Sequence, residues 1–219
     1  MKINYKIKEV HDGIFLCTMK DRYDLCMTFC RAQEFYESPL KTIRGKKFNL
    51  LEFFDLYRKT NKQTTFTYPD DWEGFNIPGE VVKKLYKLGI DDYNQYDQIL
   101  EDIHNSITKQ KYYLIGAVTR NTVAINHEIC HGLHYLNKDY KKQCDSLINE
   151  INKNTLKKLC FALKIIGYCE KVFWDEIQAY LATGYSLLFD AVTFTKKEKD
   201  ALKKCSKKFK KNFNIYYNS

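Results

Sequence analysis

The pentad His127-Glu128-Ile129-Cys130-His131 constrains this chain more than any other stretch of it. Ala124, Ile125, Ile129, Leu133 and Leu136 surround it at helical spacing, so a helix near 122–136 with one face in the core is expected. Positions four apart lie on one face, about 6 Å apart along the axis, which lets two imidazoles point at one spot. Two histidines and a carboxylate on a core-facing helix are costly to bury unless something satisfies them. The fold must bring them a partner.

A metal ion suits this spacing. His127 and His131 are the candidate ligands, and Glu128, next in sequence to the first, is placed beside the ion rather than on it. There it can take a proton from a water that the ion activates, the general-base role of H-E-x-x-H in zinc hydrolases. A tetrahedral catalytic zinc needs a third protein ligand and one open position. No histidine follows His134, and Asn137 occupies the position where a metzincin would carry its third histidine. His134 shares the face but lies about 10 Å along the axis from His127, too far for all three to meet one ion, and is assigned to the pocket wall. A carboxylate remains, and Glu176 is the best candidate. It sits among Val172, Phe173 and Tyr180 on an inward-facing stripe, with Ala179 and Ala182 small enough for close helix approach. Asp175, with its shorter arm, is the second choice.

With H-E-x-x-H on one helix and a glutamate on a later one, the stretch from Tyr112 to Ser186 resembles the gluzincin type of zinc metallopeptidase. The resemblance implies a zincin-like α+β fold, mainly helical, with Zn2+ on His127, His131 and Glu176. It implies hydrolysis of peptide bonds in a peptide or protein substrate, with Glu128 as base. It also implies an open-edged strand ahead of the active helix that pairs with extended substrate, a part Tyr112 to Val118 fits. A phenol or imidazole is expected to assist the oxyanion; Tyr180 and His134 are candidates, as are Tyr113 and Tyr185. Two features depart from the thermolysin-like pattern. Glu176 follows His131 by 45 positions, and Tyr180 stands where an aspartate would orient the first histidine.

The rest of the chain supplies the frame. Residues 3–19 read as a β-hairpin around Asp12-Gly13, 22–36 fits a helix or a strand, and helices are expected over 49–59, 80–88 and 91–109. Tyr68 to Gly79, with two prolines and two glycines, reads as a long loop. Tyr112 to Val118 reads as a strand, and helices follow near 139–152, 154–168, 171–189 and 195–211. At 219 residues the chain is expected to form a single domain: an N-terminal lobe over 1–110, a zinc-site core over 111–192, and a basic C-terminal helix and tail over 193–219.

Charge is concentrated in that tail. Lys196 to Lys211 holds nine lysines against Glu198 and Asp200, which is +7 of the chain's +9. Thr195 and Glu198 form a capping-box pattern, and Leu202, Cys205, Phe209 and Phe213 make a narrow apolar stripe, so a docked helix with a solvated lysine face is expected. That face suits contact with nucleic acid or an acidic partner. A non-catalytic protein acting through it is the alternative reading of the whole chain. Eight scattered cysteines without a C-x-x-C pair read as free thiols of a reducing compartment. No apolar run reaches the length of a membrane span and the N-terminus lacks a secretory pattern, so a cytoplasmic location is expected.

Overall fold

The computed structural model describes residues 3–218 and has a mixed α+β fold, mainly helical, with one four-stranded sheet. Asp12-Gly13 turns the chain from β1 (Tyr5–His11) into β2 (Ile14–Met19), and Gly13 takes the left-handed conformation (φ 73°) that lacks strain only without a Cβ. Next comes α1 (Arg22–Glu37), started by the Asp21 carboxylate accepting from the Asp24 backbone N–H. Every residue from Leu25 to Phe35 is buried, so no polar face marks the period, which is why this segment fits two readings in sequence.

The polar residues of α1 are matched inside the core. Arg31 makes a two-pronged contact with the Asp97 carboxylate, at 2.8 and 3.1 Å, and pairs with Asp92 at 3.0 Å. The Gln33 side-chain oxygen accepts from the Asn76 backbone N–H, and the Tyr68 hydroxyl donates to Glu34. Burial pushes the Glu34 carboxyl above its usual range.

After α2 (Leu50–Thr60), the stretch expected to be a loop holds a short helix, α3 (Tyr68–Asp71), and a strand, β3 (Gly74–Pro78). Its Gly and Pro content signals a loop, but an edge strand tolerates both because one side of its backbone has no ladder to complete. The chain continues through α4 (Gly79–Leu88) and α5 (Gln95–Ser106) to β4 (Tyr113–Val118).

Strand order is β1-β2-β4-β3. The hairpin pair is antiparallel, β2 and β4 run parallel with Cys17 opposite Gly116, and β3 and β4 are antiparallel with Phe75 opposite Gly116. This corrects the expectation of an open-edged strand before the active helix. Because β3 joins as a fourth strand, β4 is paired on both sides and has no free edge for a substrate. It is also packed from above: a Cβ on Gly116 would stand 2.7 Å from the Phe29 ring of α1.

Internal packing divides the chain into two compact units, one ending at Ile125 and the other beginning at Asn126. This division falls after β4, which completes the N-terminal sheet. The remaining elements are α6 (Thr122–Leu136), α7 (Lys138–Asn149), α8 (Lys153–Ile166), a 3-10 turn at Glu170–Val172, α9 (Phe173–Thr183), α10 (Ser186–Ala191) and α11 (Lys196–Tyr217). The single helix expected over 171–189 is broken at Gly184, which ends α9, and α11 runs past its expected end at 211. In the C-terminal unit α9 packs against α7, α8 and α11, and buries all seven residues from Glu176 to Ala182. Among the described residues no helix is long and apolar enough to cross a membrane.

Removing one member of a buried ion pair leaves the other charge uncompensated, at a cost of about 3–5 kcal/mol. The double variant Asp92→Ala/Asp97→Ala, which strands Arg31, is expected to lower the unfolding free energy by about that amount in urea titrations followed by circular dichroism, and Asp97→Ala, which leaves Arg31 its contact with Asp92, by less.

Candidate metal centre

α6 and α9 bring their side chains together in the C-terminal unit. His127 Nε2 lies 3.5 Å from one oxygen of Glu176, and His131 Nε2 lies 3.5 Å from the other. Ligand atoms of these three residues fall within 4.8 Å of one another, so the group can hold a metal ion. The distances are too long for good hydrogen bonds. His131 Nε2 and Glu176 Oε2 are buried without a hydrogen-bond partner among the described residues, the condition an ion between them would relieve. His131 and Glu176 are buried, and His127 is partly exposed, which leaves the centre open on its side.

The other nitrogen of each imidazole faces an oxygen of α9. Thr183 donates its hydroxyl to the Ala179 carbonyl at 2.7 Å, so its oxygen is left to accept from His127 Nδ1 at 3.3 Å. His131 Nδ1 faces Asp175 Oδ1 at 2.9 Å. Protons held on Nδ1 leave both Nε2 lone pairs turned towards Glu176, the tautomer a ligand needs. Asp175, the second choice for third ligand, therefore supports His131 instead. The aspartate missing from position 180 is replaced in effect by Thr183, three residues on and just short of one turn later.

A relay backs the Asp175 carboxylate. Gln178 donates to Asp175 at 3.0 Å and accepts from the Tyr140 hydroxyl at 2.8 Å, which ties α9 to α7. His134 Nδ1 also faces Asp175, at 3.3 Å, while Lys141 meets its Nε2 at 3.2 Å. Both ring nitrogens of His134 thus meet side chains behind the ligands, Asp175 on one side and Lys141 on the other. Desolvation lowers the pKa of His134 and favours the neutral ring.

Electrostatics single out the centre. Burial opposes charging His131, but Asp175, Glu176 and Glu128 outweigh it and raise its affinity for a proton well above the usual range. A cluster that pulls a proton this strongly also favours a cation. Glu128 is buried at 5% exposure, and its charge is felt at His131, Tyr168 and Tyr180.

Two phenols complete the surroundings. The Tyr180 ring stands edge-on to His127, 4.7 Å between centroids, and its hydroxyl meets that of Tyr168 at 3.1 Å. Burial, reinforced by Glu176, raises the pKa of both, so both stay protonated. The other candidates have different partners: the Tyr113 hydroxyl donates to Asn76 within the N-terminal sheet, and Tyr185 packs against Phe189. Sequence reasoning misses Tyr168, Thr183 and Gln178. Thr183 lies seven residues, about two turns, from Glu176, a spacing that could have raised it as a candidate on the same face.

No family model matches the chain, and no curated protein or solved structure matches it.

Thr183→Val keeps the side-chain volume but removes the acceptor for His127 Nδ1. It is expected to weaken divalent-metal affinity about 10- to 100-fold, read by competition with a chromophoric chelator, with little change in circular dichroism.

Proposed function

We propose that the chain is a zinc-dependent peptidase. The observation that carries this reading is the convergence of His127, His131 and Glu176, with Glu128 beside the first ligand. Two imidazoles and one carboxylate are the ligand set of open catalytic zinc sites. At zinc bond lengths of 2.0–2.1 Å, two ligand atoms in a tetrahedron are about 3.3 Å apart, close to the 3.5 Å separations here.

When bound, the ion supplies Lewis acidity, lowering the pKa of water and polarising a carbonyl. The protein's own groups do the rest. Thr183 and Asp175 hold the two imidazoles in register. Glu128, buried beside the first ligand, accepts the proton of the attacking water and returns it to the leaving amine. Tyr180, kept protonated by burial, donates to the carbonyl oxygen as negative charge develops there, and Tyr168 holds that hydroxyl in place. His134 buttresses Asp175 from behind. The hydrolysed bond is a peptide bond in this reading.

Glu128→Gln preserves shape and removes the base. The expected result is full zinc content by atomic absorption and at least a 10²-fold loss of kcat on quenched fluorescent peptides; an active Glu128→Gln protein sinks the mechanism. Tyr180→Phe is expected to lower kcat by about 10²-fold with KM little changed.

A further inference from the structure

We propose that the outer face of α11 binds the phosphate backbone of duplex nucleic acid without reading its sequence. The surface is separate from the metal centre. Leu202, Phe209, Asn212 and Phe213 bury one side of α11, which packs against α7 and α9. All nine lysines from Lys196 to Lys211 are exposed. Lys196, Lys199, Lys203, Lys207 and Lys210 recur at three- and four-residue steps as one stripe, and Lys197, Lys204, Lys208 and Lys211 lie alongside. The run spans about 22 Å, with a cation on nearly every 5.4 Å turn.

Little on the protein neutralises this charge. Among the described residues only Lys208 of the nine forms an ion pair, with Glu150 at 2.5 Å. Of the two acids within the run, Glu198 is bound to Lys158 at 2.8 Å and to Thr195, which leaves Asp200.

The chemistry of the face selects among polyanions. Between Lys196 and Lys211 its exposed positions hold no apolar side chain larger than Ala201, since Leu202 and Phe209 are buried and Cys205 is half-buried. An acidic protein partner needs apolar anchors at the centre of its interface, whereas here the apolar groove, lined by Leu147 and Ile215 beside Lys208 and Lys211, lies at the margin of the lysine face and not along the main stripe. A bilayer surface takes up a basic helix by its apolar side, which α11 has already spent on α7 and α9. A regular row of phosphates needs only cations at matching intervals. The run carries no arginine for bidentate base contacts, and the Phe189 ring beside it lies under Lys199 and packs on Tyr185 and Phe194 instead of offering a stacking platform, so the fit is to a duplex backbone.

The test is fluorescence anisotropy of the full chain on two unrelated 25-base-pair duplexes over a salt series. Expected are equal affinities for both and a slope of log K against log salt of about −4 to −5, one phosphate for each lysine of the main stripe. Lys203→Gln/Lys207→Gln/Lys210→Gln should cut the slope by about 3 and weaken binding at least tenfold at about 100 mM salt. The charge-matched control Lys83→Gln/Lys84→Gln/Lys87→Gln, on the exposed side of α4, should leave both unchanged. Equal losses in the two triple variants, no binding at low salt, or binding to polyglutamate or phosphatidylserine vesicles as tight as to the duplexes would each overturn the proposal. Zinc content, measured in parallel, should be the same in all three proteins, so this result and the peptidase reading fail separately.

Discussion

A carboxylate buried between two imidazoles organises the C-terminal unit. Glu176 lies 2% exposed on a helix surrounded by others, its two oxygens each 3.5 Å from a histidine nitrogen. Burying an ionised carboxylate in such a setting is stable only with a compensating charge at hand. Everything nearby works towards holding that arrangement open and rigid. Thr183 and Asp175 fix the imidazoles, and Gln178 and Tyr140 fix Asp175. The packing of α7, α8 and α11 around α9 makes the relay continuous with the core.

The N-terminal unit handles buried charge in the opposite way. Its one deeply buried cation among the described residues, Arg31, meets two aspartates in direct contact, and burial favours the neutral form of Glu34. Arg31 and its aspartates offset one another's charge directly, and Glu34 takes a hydrogen bond from Tyr68. The C-terminal unit contains no arginine, and Glu128, Asp175 and Glu176 together outweigh what its histidines can offer. One unit has closed its electrostatics, and the other has left a place for a cation.

The residues that touch the proposed ion are legible in the sequence because their spacing is set by the helix itself. H-E-x-x-H places two imidazoles on one face, and Glu176 stands out as a carboxylate within an apolar stripe. The residues that orient those ligands are not legible. Thr183, Gln178 and Tyr168 act through neighbours on other turns and other helices, and a threonine or glutamine in a helix carries no mark of its partner. The same holds for the fold. Helices with one wet face are readable from their period, whereas α1, buried throughout Leu25 to Phe35, has none to read. The edge strand β3 is hidden by the prolines and glycines that an edge permits, and without it β4 passes for an open edge.

The parallel pairing of β2 with β4 also sets an order of events during synthesis. The β1–β2 hairpin is complete at Met19, but the strand that covers its inner side begins only at Tyr113, about 94 residues later. At a translation rate of roughly 5–20 residues per second, that side waits some 5–20 s. The outer strand β1 carries Lys6, Lys8 and Glu9, charges that discourage pairing with other chains, while Ile14 to Met19 carries none. The hairpin as it first forms is therefore guarded by charge on one edge and open on the other until β4 pairs with β2.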